Sequence, residues 1–142
     1  MRLSTFLIAD HAEAVNGKLY VTGGCWNRLG VAGLPATQPH FTVAATLHVP
    51  WEAANERHVL ALDLIDADGH SLLPEPIANA FESGRPAGTR PGDESLVVLA
   101  FHFNGLTFAE AGTKEFILGV DGEEVGRIAF KVELMPTGAG AN

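Results

Sequence analysis

The sequence predicts an all-β protein, an antiparallel β-sandwich of about eight strands. Short segments alternate apolar and polar residues, as strands with one buried face do. Glycine-, proline- and asparagine-containing turn signals separate these segments at intervals of about 8–12 residues. The alternation in "EAANERHVLAL" is better than its helical periodicity, so we expect strands throughout.

The first two strands form a hairpin. The segment from Leu3 to Val15 is β-compatible, and Asn16-Gly17 then provides the two positive φ angles that a type I′ turn requires. "KLYV" returns as the second strand. The adjacent glycines Gly23 and Gly24 predict a bulge on it.

The central segments alternate cleanly. "GLPATQPH" is expected to be a loop because Pro35 and Pro39 cannot donate to a ladder. In "HFTVAATLHV" one face is apolar and the other is polar: Phe41, Val43, Ala45, Leu47 and Val49 against His40, Thr42, Thr46 and His48. In "RHVLALDLI" a single face carries His58, Leu60, Leu62 and Leu64.

Several turns organise the second half of the chain. "DADG" predicts a turn, "HSLLPEP" a short strand ended by prolines, and residues 78–94 a long irregular stretch. "SLVVLAFHF" is apolar on both faces and predicts a central strand. Asp121-Gly122 predicts a second hairpin. We expect one domain over residues 1–135 and a flexible tail over 136–142.

Composition and charge exclude several functions. Nine basic and seventeen acidic residues give a net charge of −8, which argues against nucleic-acid binding. No apolar run approaches the roughly 20 residues of a membrane helix. The early apolar run is broken by Asp10 and His11, so we interpret it as a strand and not as an export signal. The single cysteine, Cys25, fits a reducing compartment, and we expect a cytoplasmic protein.

The N-terminal residues carry a family resemblance. "LIADHAEAVNGKLYVTGGCWNRL" resembles the opening of a family of small uncharacterised bacterial proteins, with its Leu-x-Ala-Asp-x-Ala strand, Asn-Gly-Lys-Leu hairpin and Gly-Gly-x-Trp segment. "PWEAANERHVLALDLIDADG" and "VDGEEVGRIAF" are similar to later segments of that family. "AGTKEFILGVDGEEV" resembles the final hairpin of bacterial immunoglobulin-like sandwiches. The resemblance implies an immunoglobulin-like fold and brings no known activity.

The candidate chemistry is sparse. Cys25 with a histidine base is the minimal case for a thiol nucleophile, but a strand-borne cysteine is more typical of a buried thiol. The six histidines form no local ligand pair, and "DADG" has Ile77 where a calcium loop needs glutamate. A metal site assembled across strands from His58, His102 and either Asp10 or His11 stays open. We predict no catalytic residue, no metal and no cofactor.

Aromatic residues in or beside loops point to binding. Trp26, Arg28, Trp51 and Phe108 are interface candidates, although aromatic residues also cap cores. We therefore expect a non-enzymatic module that binds itself or another protein through loops or an edge strand. Two alternatives remain: a small-ligand-binding or catalytic domain with a cleft near Gly23–Cys25, and a structural subunit of a larger bacterial or phage assembly.

Overall fold

The computed structural model describes residues 1–136 and confirms an all-β chain. From residue 137 onward, the predicted flexible tail lies outside the described residues. A short 3-10 turn, Trp51–Ala53, follows the fourth strand. The strands within residues 1–136 are β1 Arg2–Val15, β2 Lys18–Gly24, β3 Arg28–Val31, β4 Ala36–Pro50, β5 Arg57–Asp66, β6 Ile77–Glu82, β7 Glu94–Phe108, β8 Gly112–Val120 and β9 Glu123–Leu134. Across the same residues, no helix is long and apolar enough to cross a membrane.

The strands form two sheets. Sheet 1 has the order β2-β1-β4-β7, and sheet 2 has the order β3-β9-β8-β5-β6. All neighbouring strands are antiparallel except β3 and β9, which are parallel. Sheet 2 is therefore mixed, where the sequence predicted antiparallel pairing alone.

Both sheets contribute to one hydrophobic core. The apolar face predicted for β4 is fully buried, and it packs with the predicted inner face of β5. The fully or nearly fully buried members from these two strands are Phe41, Val43, Ala45, Leu47, Val49, Leu60, Leu62 and Leu64. The two-residue alternation therefore identified the core-facing side of both strands.

Both predicted hairpin turns are confirmed. Asn16 and Gly17 have φ angles of 51° and 72° between β1 and β2, and Asp121 and Gly122 have 52° and 83° between β8 and β9. These are the positive φ values that a type I′ turn needs. The turn after β5 also forms, with Gly69 at φ 83°.

Strand β7 lies at an edge of sheet 1, so the prediction of a central strand is wrong. Its inner side chains enter the core, and its outer side chains lie on a face that curls. The curl is visible because β2 comes within 8 Å of β7, although β1 and β4 lie between them in the sheet. Ala44 of β4 is fully buried on this outer face and belongs to a small cluster with Ala9 and Ala12 of β1, against which Leu7 and Leu19 pack.

Two segments predicted as loops are strands. Strand β4 begins at Ala36 and includes Pro39, which is tolerated because β1 pairs with β4 only from Thr42 onward. Strand β6 occupies Ile77–Glu82, which overlaps the start of the stretch predicted to be irregular, and it pairs with β5. Proline and glycine content masked both strands.

The glycine pair at the end of β2 does not shift the register. Ala9 faces Gly24 and His11 faces Thr22, so the pairing continues unchanged where a bulge was predicted. Gly23 instead has a φ of +61°, and a Cβ atom there would collide with the Asp10 carboxylate. The glycine is needed for backbone conformation and for close approach.

Candidate functional site

Three histidines meet on the outer face of sheet 1. His11 lies on β1, His40 on β4 and His102 on β7. The pairing explains their meeting: Thr42 faces Ala9 of β1 and His102 of β7, so His11 continues the same register to a position opposite His40. We call these three residues the histidine cluster.

The rings of the histidine cluster are packed together. Nδ1 of His11 lies 2.9 Å from Nε2 of His40. The ring centroids are 5.1 Å apart for His11 and His40, 5.5 Å for His11 and His102, and 5.8 Å for His40 and His102. One ring nitrogen from each residue can be chosen so that all three lie within 4.8 Å of one another. His11 and His40 are half-buried, and His102 is exposed.

Each histidine also has a polar partner outside the group of rings. Nε2 of His11 lies 3.2 Å from a Glu13 carboxylate oxygen, and Nδ1 of His40 lies 2.7 Å from the Asn104 side-chain carbonyl. Nδ1 of His102 lies 3.1 Å from Oγ1 of the fully buried Thr42. Glu13 and Asn104 offer acceptor oxygens, so the nearby nitrogens of His11 and His40 donate.

The histidine cluster differs from the one that the sequence left open. His11 and His102 do meet, but His58 lies elsewhere, bonded to Asp121 and to the Ala53 carbonyl. His40 was missed. His40 occupies an outward position on β4, near Thr42. That position indicates a contact with His11 and His102 only when β1 and β7 are known to flank β4.

The predicted interface residues do not form one surface. Trp26 packs edge-on against Phe41 and Phe130, with centroid distances of 6.0 and 6.1 Å. Phe41 lies in the first half of β4. Trp51 follows Pro50 at the other end of β4, roughly 30 Å away at about 3.3 Å per residue. Phe108 is 2% exposed and lies in the core, not at the surface.

Two of the predicted interface residues, Arg28 and Trp51, each contact a charged side chain. Arg28 is exposed on β3 and donates to the Glu133 carboxylate at 2.6 Å. Trp51 is half-buried, with the Arg85 guanidinium 4.1 Å from its ring centroid. Arg85 also donates to the Trp51 carbonyl oxygen at 2.7 Å.

Cys25 is exposed, so the prediction of a buried thiol is wrong. The residue follows the end of β2 and has a φ of 66°, which is unusual outside glycine. Its amide donates to the Ile8 carbonyl at 2.8 Å. This bond continues the β1–β2 ladder by one residue while the side chain stays in solvent.

A second group of potential ligands lies in the turn after β5. Asp66, Asp68 and His70 offer ligand atoms within 4.8 Å. One Asp66 oxygen accepts the amide hydrogens of Asp68 and His70, both at 2.9 Å. The His70 amide is the main reason that the pKa of Asp66 lies below its ordinary value. This group is accounted for by turn formation.

The family comparison gives a clear result. A model of a family of unknown function, DUF6941, matches residues 4–133. The chain belongs to this family. The predicted membership of a family of uncharacterised proteins is thereby confirmed. A comparison of the chain with curated protein sequences gives no match.

Two solved structures are similar to the chain over 75% of its length. One is the alkylpurine DNA glycosylase AlkC of Pseudomonas fluorescens bound to DNA containing an abasic site analog, at 17% identity and a TM-score of 0.43. The other is a β-glucosidase from Listeria innocua in complex with glucose, at 15% identity and a TM-score of 0.46. The similar region covers 27% of the first protein and 15% of the second.

Proposed function

We propose that the protein is a non-enzymatic self-assembly module of the cytoplasm, an immunoglobulin-like β-sandwich that pairs with a second copy of itself along β7. The observation that carries the proposal is the composition of this edge strand. Residues 95–108, "SLVVLAFHFNGLTF", contain no Asp, Glu, Lys, Arg or Pro. Within residues 1–136, β7 is paired with β4 alone.

An uncharged, unpaired strand of this length is a template for another strand. Soluble proteins usually protect edge strands with lysine, proline, a bulge or a very short length. Strand β7 has 15 residues, and Leu96 near its start is 52% exposed. Between residues 95 and 108 the strand has no lysine and no proline, and its pairing with β4 continues without a register shift.

The other edge strands are better protected. Strand β3 has four residues, and β6 has six, begins directly after Pro76 and ends at Glu82. Strand β2 begins at Lys18 and ends in two glycines. The contrast favours β7 as the edge that pairs.

Charge and symmetry favour a second copy as the occupant. Each chain carries a net charge of −8, so two copies repel unless they meet where charge is lowest. The strip from Ser95 to Phe108 is such a surface. Antiparallel pairing of β7 with β7 of the second copy is a two-fold arrangement, the commonest symmetry of homo-oligomers, and would join both copies of sheet 1.

The test is size-exclusion chromatography with light scattering on the full chain over a range of concentrations. We expect a dimer for the wild type and a monomer for Leu96→Lys, because a lysine on the edge interferes with strand addition. Leu134→Lys is the matched control, since Leu134 is 55% exposed on β9, and it should stay dimeric. A wild type that is monomeric at all concentrations contradicts the proposal.

A further variant separates the two edges of sheet 1. Tyr20 on β2 is 57% exposed. If Tyr20→Lys dissociates the dimer while Leu96→Lys does not, then β2 and not β7 is the interface. Trp26, Arg28 and Trp51 stay predictions as binding residues, and Arg28→Ala tests the only one of them that is exposed.

A further inference from the structure

We propose that the histidine cluster is a binding site for a divalent transition-metal ion, and specifically for Zn²⁺. The proposal does not require self-assembly through β7, although one of the three ligands, His102, lies on that strand. It rests on three features of the site: the separation of the ring nitrogens, the partners that orient the rings, and the open side of the cluster.

The spacing of the ring nitrogens is close to that of a metal site. Zn²⁺ binds imidazole nitrogen at about 2.0–2.1 Å, so two nitrogens in a tetrahedral site lie about 3.3 Å apart. His11 Nδ1 and His40 Nε2 are already 2.9 Å apart. The third nitrogen lies within 4.8 Å. His102 is exposed and can approach by the remaining ~1.5 Å through a change of side-chain torsions.

The hydrogen bonds around the cluster aim two lone pairs at one point. His11 donates through Nε2 to Glu13, and His40 donates through Nδ1 to Asn104. In neutral rings the remaining nitrogens, His11 Nδ1 and His40 Nε2, are both acceptors. When no proton lies between them, two facing acceptors at this distance repel each other, and a metal ion bound by both nitrogens removes the repulsion.

The same arrangement matches what metal-binding histidines need. A ligating histidine usually donates its other N–H to a carboxylate, carbonyl or water, which fixes the ring orientation and makes the ligating nitrogen more basic. Glu13 and Asn104 supply a carboxylate and a carbonyl to two of the three rings.

The open side of the cluster leaves room for a fourth ligand. His102 is exposed and His11 and His40 are half-buried, so solvent reaches the site. Three imidazoles and one water complete a tetrahedral Zn²⁺ site. Imidazole ligands also suit Cu²⁺ and Ni²⁺, and Cu²⁺ binds such sites more tightly than Zn²⁺. The net charge of −8 adds a favourable long-range field for any cation.

The experiment titrates Zn²⁺ into the full chain after treatment with a chelator, using calorimetry and equilibrium dialysis. We expect one equivalent to bind, with saturation below about 100 μM free Zn²⁺. His102→Ala should weaken binding at least about tenfold, as loss of even a supporting residue costs 10–100-fold. Asn104→Ala should weaken it about tenfold through the orientation of His40.

Two matched controls locate the binding. His48→Ala removes another histidine from the same face of β4, and His70→Ala removes the histidine of the Asp66–Asp68–His70 turn. Both variants should bind like the wild type. Nitrogen NMR of the imidazole rings should show Zn²⁺-dependent shifts for His11, His40 and His102 alone.

Each adverse outcome is decisive. Loss of binding in His70→Ala with retention in His102→Ala assigns the metal to the turn and overturns the proposal. The same conclusion follows if the wild type takes up no Zn²⁺ below 1 mM, about the concentration of the weakest specific sites. His11→Gln is a second variant, and its circular dichroism without metal separates misfolding from loss of a ligand.

Discussion

Nδ1 of His58 lies 2.6 Å from a carboxylate oxygen of Asp121, and its Nε2 lies 2.7 Å from the carbonyl oxygen of Ala53. Both partners only accept hydrogen bonds, so both bonds form together only when both ring nitrogens carry a hydrogen, as they do in the imidazolium. The bond to the Ala53 carbonyl, and then that to Asp121, raises the pKa of His58 above 6.5. One buried side chain thus ties the 3-10 turn to the β8–β9 turn.

We predict that this contact stabilises the protein more at acidic than at alkaline pH. A raised folded-state pKa stabilises fully below the unfolded value of 6.5, and the stabilisation is lost as pH rises through the folded-state pKa. Urea unfolding should show that His58→Gln costs about 1–3 kcal/mol near pH 5.5 and less near pH 8.5. Asp121 stays ionised across this range, because the Val59 amide and then His58 hold its pKa below its ordinary value. A cost that is the same at both pH values contradicts the assignment of a charged ring.

Gly23→Ala should destabilise the β1–β2 hairpin. The residue has a φ of +61°, and an added Cβ would collide with the Asp10 carboxylate. We expect a loss of about 1–3 kcal/mol in the free energy of unfolding, measured in urea. Gly33→Ala is the control, since an added Cβ there meets nothing within 4 Å, and it should change stability little. In an Asp10→Ala background the cost of Gly23→Ala should fall but not vanish, because the φ strain remains.

Trp26 should tolerate phenylalanine. Its Nε1 is buried and has no hydrogen-bond partner among the described residues, which is a cost that phenylalanine removes. Trp26→Phe keeps a ring against Phe41 and Phe130 and should alter stability by less than about 1 kcal/mol. Trp26→Ala should cost at least about 2 kcal/mol by thermal or urea unfolding. If phenylalanine is as damaging as alanine, the indole N–H has a role that this structure does not account for.

Cys25 should be reactive towards thiol reagents in the folded protein. The side chain is exposed, and the residue lies at φ 66°. We expect Ellman's reagent to label the native chain within several-fold of the rate in urea, because access is already open. Cys25→Gly should leave the protein equally stable or up to about 1 kcal/mol more stable, since glycine adopts this φ without strain. Labelling that requires unfolding would show that the thiol is covered.

Local pattern decided a large part of the fold. The alternation in β4 and β5 depends on only one neighbour relation, that successive side chains point to opposite faces, so the buried face could be read from sequence. The turns at Asn16-Gly17 and Asp121-Gly122 are equally local, since positive φ is a property of the residues themselves. The number of strands was nearly right for the same reason.

Strand order and the histidine cluster needed the tertiary structure. Whether β7 is central or at an edge depends on which strands pair with it, and an apolar composition on both faces fits either position. His11, His40 and His102 are separated by 29 and 62 residues in sequence and meet only because β1 and β7 flank β4 in a particular register. Cys25 was likewise predicted buried from residue type, while its exposure follows from where β2 ends. The sequence determined which residues face the core, and long-range strand pairing decided which polar residues share a site.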